Sequence, residues 1–171
     1  KVFYPKAKLL IVGAGHIGFE LNKLAKALGF YTVIIDDREE YANRERFKDA
    51  DEVFAGDIGQ IIKNYNTNAD DYIVIATKGY EQDKEGLRAS ILKGCGYVGM
   101  IGSTKKIIHI MRDLMEEGIS KEELQRAYAP MGLDISTQLP EEIAFGILSE
   151  ILLIKNKGTL NHKRDLKKVW G

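Results

Sequence analysis

The chain alternates short apolar runs with stretches whose apolar positions recur at helical spacing. Five runs, Lys8–Val12, Thr32–Asp36, Glu52–Ala55, Tyr72–Ala76 and Tyr97–Met100, are mostly continuous and β-branched rather than alternating. That is the pattern of strands buried on both faces. A further short strand is expected near Ala127–Ala129. Ile17, Leu21, Leu24, Ala25 and Leu28 form one apolar helical face, which Gly29 ends. Later helices are expected at Ile58–Tyr65, Gln82–Lys93, Thr104–Glu117 and Glu141–Ile154, and Ser120 with Glu123 stands at capping-box spacing at the head of a short one. Strand–helix alternation of this kind predicts an α/β fold, a Rossmann-like doubly wound parallel sheet in a single domain over residues 1–154.

Residues 155–171 change character, carrying six Lys or Arg against one acid, Asp165. This basic C-terminal tail reads either as a solvated segment or, with Trp170 as an anchor, as one that docks on a partner.

A length of 171 residues, 44% of them hydrophobic, suits one well-filled domain. Lys plus Arg and Asp plus Glu both number 25, so no net charge drives the chain toward nucleic acid or anionic membrane, and neither is expected as a partner. No apolar run approaches the roughly 18 to 20 residues of a membrane span. The opening KVFYPKAK lacks an initiating Met and the apolar h-region of a signal peptide. A single cysteine, Cys95, excludes an internal disulfide and suits a reducing, cytoplasmic setting. With His16, His109 and His162 scattered, no metal ligands are assigned.

Candidate chemistry concentrates first in Gly13-Ala14-Gly15-His16-Ile17-Gly18, a G-x-G-x-x-G that follows a strand and opens a helix. Gly13 permits the turn, Gly15 lets a pyrophosphate approach the backbone, and Gly18 lets helix and strand pack closely. Unpaired N–H groups at the helix start favour phosphate. Asp36 ends the second strand, 18 residues after Gly18, with Asp37 and Arg38 beside it. An acid there accepts from a ribose hydroxyl and repels the 2′-phosphate of NADP, so NAD(H) is the expected cofactor, while Arg38 leaves NADP open. His16 is read as a ligand contact or as a solvent-facing side chain.

Ala76, Thr77 and Lys78, at the end of the fourth strand, are expected to border the cofactor. Gly102 and Ser103 open a later helix in a position suited to an anion. Tyr80, Tyr128 and Asp134 complete a set of second-ligand candidates. Asp134 is read as holding a pterin, a ribose or an ion, or as pinning its loop to backbone N–H groups. Cys95 reads as a small buried hydrophobe rather than a low-pKa thiolate.

With the glycine loop, the stretches DDREEYANRERFKDADEV, YVGMIGSTKK and YAPMGLDISTQLPEEIAFGILSEI resemble the C-terminal Rossmann domain of the XdhC/CoxI family, from about Lys8 to about Ile154. That resemblance implies an accessory factor for xanthine dehydrogenase or a related molybdenum hydroxylase. It would bind the molybdenum cofactor, with the hydroxylase and a cysteine desulfurase as partners. The family's N-terminal domain has no counterpart in these residues. Lys78-Gly79-Tyr80 stands where the family commonly has R-G-H, Tyr128-Ala129-Pro130 where it has H-A-P, and Leu139 where it often has a capping Thr. No catalytic acid–base pair is evident, so two alternatives stay open: an NAD(P)-dependent oxidoreductase and an NAD(H)-sensing regulatory module. A homodimer is compatible with a compact domain of this kind, without an interface to point to.

Overall fold

The computed structural model describes residues 6–167, 169 and 170. Five parallel strands, β1 (Lys8–Val12), β2 (Tyr31–Asp36), β3 (Glu52–Ala55), β4 (Tyr72–Ile75) and β5 (Tyr97–Met100), form one sheet in the order β3-β2-β1-β4-β5. The connecting helices are α1 (His16–Ala27), α2 (Ile58–Asn64), α3 (Tyr80–Ile91) and α4 (Thr104–Glu116). A single turn, α5 (Lys121–Leu124), the long α6 (Pro140–Lys155) and a short α7 (Lys163–Leu166) follow. The expected Rossmann-like α/β architecture is therefore present.

Strand residues alternate between two separate cores. Leu9, Ile11, Ile34 and Val74 face α1 and α6, packing on Leu21, Ala25, Ala144, Ile147 and Ile151. Leu10, Val12, Val33, Ile35, Ile73 and Ile75 face α2, α3 and α4, against Ile62, Leu87, Ile110 and Leu114. Burial on both faces explains why the strands read as unbroken apolar runs.

The expected strand near Ala127–Ala129 shrinks to a single parallel bridge between Gly99 and Tyr128. Pro130 offers no N–H to extend a ladder, and the next bond comes from the Met131 N–H to the Met100 carbonyl at 3.0 Å. α3 begins at Tyr80, two residues before the expected start, because Gly79 already serves as its N-cap. At α5, Ser120 Oγ accepts from the Glu123 N–H at 3.1 Å, the serine half of the expected capping box.

The chain leaves β1 toward β2 on one side and returns through β4 on the other. The carboxyl ends of β1 and β4 thus flank the topological switch point, where open α/β sheets bind ligands.

Candidate functional site

At that switch point the three glycines are held by different constraints. Gly13 has φ +119°, and a Cβ there would stand 2.2 Å from the Ala76 carbonyl oxygen. A Cβ on Gly18 would stand 2.0 Å from the Gly13 carbonyl oxygen. Around Gly15 a Cβ meets no heavy atom within 4 Å. Packing therefore demands Gly13 and Gly18, whereas the space over Gly15 is open. Gly15 is also the N-cap of α1 and supplies no side-chain cap, so the first turn of the helix presents uncapped N–H groups.

Asp36 turns inward. It is 1% exposed, and its Oδ2 accepts from the Ala14 N–H at 2.7 Å. Arg38 grips the same carboxylate, with its N–H and Nε on Oδ1 at 2.9 and 3.0 Å and its Nη2 on Oδ2 at 3.0 Å. Burial pushes the Asp36 pKa up, but the bonds from Arg38 and the two backbone N–H groups outweigh it and hold the carboxyl below its ordinary range. The Arg38 guanidinium also lies 3.9 Å from the Tyr41 ring centroid. Asp36 thus ties the end of β2 to the glycine loop, and its neighbour Asp37 is the exposed acid of the pair.

The end of β4 supplies the opposite wall. Asp36, Asp37, Arg38, Thr77, Lys78, Gly79 and Gln82 line a cleft of about 400 Å³, within the size range of small-molecule sites. Gln82 Nε2 reaches Asp37 across it at 3.3 Å, and Lys78 is exposed at its rim. Thr77 is fixed from below: its N–H donates to Asp83 Oδ1 at 3.1 Å, and its hydroxyl donates to the same oxygen. Asp83 is wholly buried and pairs with the Lys106 ammonium.

Each second-ligand candidate has its own local surroundings. Tyr80 donates to Asp113 Oδ2 at 2.7 Å, a bond between α3 and α4 that pushes its pKa up to about 12. Tyr128 stacks on Tyr97 with ring centroids 4.8 Å apart and planes 15° from parallel. Ser103 Oγ accepts from the Lys106 N–H at 3.2 Å and so caps α4, and Gly102 precedes it with φ +156°. Asp134 is exposed and makes no hydrogen bond among the described residues. Its loop is pinned instead by Glu150, whose Oε1 accepts from the Gly132 N–H at 3.0 Å and the Tyr97 hydroxyl at 2.7 Å.

At α6 the Leu139 N-cap makes no side-chain bond. The Glu142 carboxylate instead ties down the preceding loop, accepting from the Thr137 N–H at 3.1 Å. Cys95 is half-buried rather than fully so, and burial pushes its thiol pKa up, away from thiolate reactivity.

Residues 9–151, from β1 through most of α6, match the family model described as the XdhC Rossmann domain. The chain belongs to that family. Among its relatives, YqeB of Escherichia coli (strain K12), described as an uncharacterized protein, is 32% identical over 88% of this chain and 28% of its own length. A probable xanthine dehydrogenase subunit of Bacillus subtilis (strain 168) is 27% identical over 90% of this chain and 44% of its own. A crystal structure of a xanthine dehydrogenase from Bacillus halodurans superposes with a TM-score of 0.78 at 30% identity, covering 92% of this chain and 45% of that one. The chain thus spans less than half the length of each.

Several residues of this XdhC Rossmann domain carry the site without having stood out in the sequence. Arg46 donates through Nη1 to the Ala14 carbonyl of the glycine loop and to the Tyr41 carbonyl. Phe47 anchors the same segment, buried with its ring 5.7 Å from Phe19 of α1. That is the physical content of the DDREEYANRERFKDADEV stretch: it folds back over the loop it follows. Asp83 had one available signal, an acid inside the first turn of a helix directly after the β4 loop. Glu150, in the middle of α6, had none.

Proposed function

We propose that this XdhC Rossmann domain acts in the maturation of xanthine dehydrogenase or a related molybdenum hydroxylase, with the glycine loop seating a dinucleotide-type ligand. The observation that carries the reading is the open space over Gly15 at the uncapped start of α1, beside a cleft walled by the ends of β2 and β4. Backbone N–H groups of the loop hold the pyrophosphate. Asp37, the acid left exposed, accepts from the ribose hydroxyls, and Asp36 positions it by locking the end of β2. Ala76, Thr77 and Lys78 border the ligand on the far side. NAD(H) is the first ligand expected, since Asp37 repels a 2′-phosphate and Arg38 is engaged by Asp36. A nucleotide form of the molybdenum cofactor shares the pyrophosphate chemistry. A nicotinamide ring would supply hydride transfer; the residues of this chain bind and orient.

The partner is the hydroxylase, with a cysteine desulfurase as the sulfur source and a cytoplasmic setting; a homodimer is compatible with this reading. The names of the Bacillus relatives support the hydroxylase link. The test is to purify the chain, and its Gly15→Val variant, from cells that make the molybdenum cofactor, and to measure released pterin by fluorescence. Pterin carried by the wild type supports the maturation role, and its loss in the variant would make the molybdenum cofactor, rather than NAD(H), the occupant of the glycine loop. NADH turnover with an acceptor and no pterin would overturn the maturation role in favour of an oxidoreductase.

A further inference from the structure

Three metal-ligating side chains meet beside the glycine loop. His16 opens α1, Glu20 lies one turn further on the same helix face, and Glu141 comes from the first turn of α6. One ligand atom from each lies within 4.8 Å of the others, and His16 Nε2 stands 3.8 Å from Glu141 Oε1.

Glu20 makes this more than a surface grouping. Its side chain is only 11% exposed, and its carboxylate makes no hydrogen bond to protein among the described residues. The Lys23 ammonium pairs with it at 3.5 Å from a side chain 57% exposed. A carboxylate so largely withdrawn from solvent normally accepts hydrogen bonds from the protein or faces a fixed cation. Here it is aimed at a histidine and a second carboxylate, both more than half exposed. A second carboxylate at this distance repels the first, and an added cation removes the repulsion.

We propose that His16 Nε2, Glu20 and Glu141 bind one divalent first-row cation of the Zn²⁺ or Mn²⁺ type. The donor set is one imidazole nitrogen and two carboxylate oxygens, hard-to-borderline ligands whose two negative charges match a divalent ion. Bond lengths of about 2.0–2.2 Å to such an ion put neighbouring donors roughly 3–3.5 Å apart, so the three side chains close by about 1 Å. The exposed side of the cluster leaves coordination positions for water. If the proposed phosphate seat is also correct, a phosphate oxygen can take one of them, which would offset the charge of two glutamates beside an anion site. The metal is tested without any nucleotide, so the two readings fail separately.

The experiment is calorimetric titration of Zn²⁺ and of Mn²⁺ into the chelator-treated chain, with thermal unfolding measured alongside. A single saturable site for at least one ion is expected, with a rise in Tm on loading. Glu20→Gln and His16→Ala are each expected to weaken it by about tenfold or more, without lowering the metal-free Tm. His109→Ala and His162→Ala should leave it unchanged. Binding that survives both Glu20→Gln and His16→Ala at wild-type affinity, or no saturable site for either ion, would overturn the proposal.

Discussion

Adding one methyl group at Gly15 and one at Gly18 separates ligand binding from packing. At Gly18 the new Cβ would lie 2.0 Å from the Gly13 carbonyl oxygen, well inside contact distance, and the obstacle is backbone. Relief requires α1 to move off β1, and overpacking of this kind costs about 1–3 kcal/mol or more. In a chain of this size each kcal/mol lowers Tm by about 2–4 °C, so Gly18→Ala should melt roughly 2–12 °C early. At Gly15 the Cβ meets nothing, and the backbone there (φ −78°, ψ −160°) is open to any residue. Losing a favoured N-cap residue and gaining a stiffer unfolded chain nearly cancel, so Gly15→Ala should change stability by less than about 1 kcal/mol. Its cost should appear in NADH binding, as an affinity loss of about tenfold or more. Scanning calorimetry and titration calorimetry read the two quantities on the same samples. A Gly15→Ala chain that binds NADH like the wild type would refute the phosphate seat. A Gly18→Ala chain with unchanged Tm would refute the packing argument.

Asp36→Asn should destabilise the chain by about 1–3 kcal/mol, the cost of leaving charged and backbone donors unmet. Because the folded pKa of Asp36 lies below its unfolded value, this contribution is present above about pH 4 and fades as pH falls further. The gap between wild type and variant in urea unfolding should therefore be constant near neutrality and narrow in acid. Asp83→Asn leaves the Lys106 ammonium facing an uncharged group and should cost about 3–5 kcal/mol if the pair behaves as a buried one, less in proportion to the 25% exposure of the lysine; the readout is the urea midpoint at constant m. Glu150→Ala strips the Gly132 N–H and the Tyr97 hydroxyl of their acceptor and should cost about 1–3 kcal/mol, with faster amide exchange at Gly132. Tyr97→Phe should cost less, since it leaves the Gly132 bond in place.

The strands and most helices were legible because burial on both faces writes itself as unbroken apolar runs, and because caps such as Ser120 carry local signals. The glycine loop was legible for the same reason: strand, glycines and helix are contiguous. What was not legible depends on contacts across the fold. Asp36 stands at the expected offset, but only the position of Arg38 and the Ala14 N–H shows that its carboxylate faces inward and that Asp37 is the exposed acid. The Tyr80 hydroxyl bonds Asp113 of α4, and the Tyr128 ring stacks on Tyr97 of β5, contacts that no local pattern announced. Three scattered histidines argued against a metal, yet α6 carries Glu141 to within reach of His16 across 125 residues of sequence.

The most direct test of the central claim is titration calorimetry of the chain with NAD, NADH, NADP and the dinucleotide form of the molybdenum cofactor, repeated on Gly15→Val and Asp37→Asn. Saturable binding of one of these ligands, lost in Gly15→Val and weakened in Asp37→Asn for the ribose-bearing ligand, is the predicted result. Absence of saturable binding for all four, or binding indifferent to Gly15→Val, would contradict it.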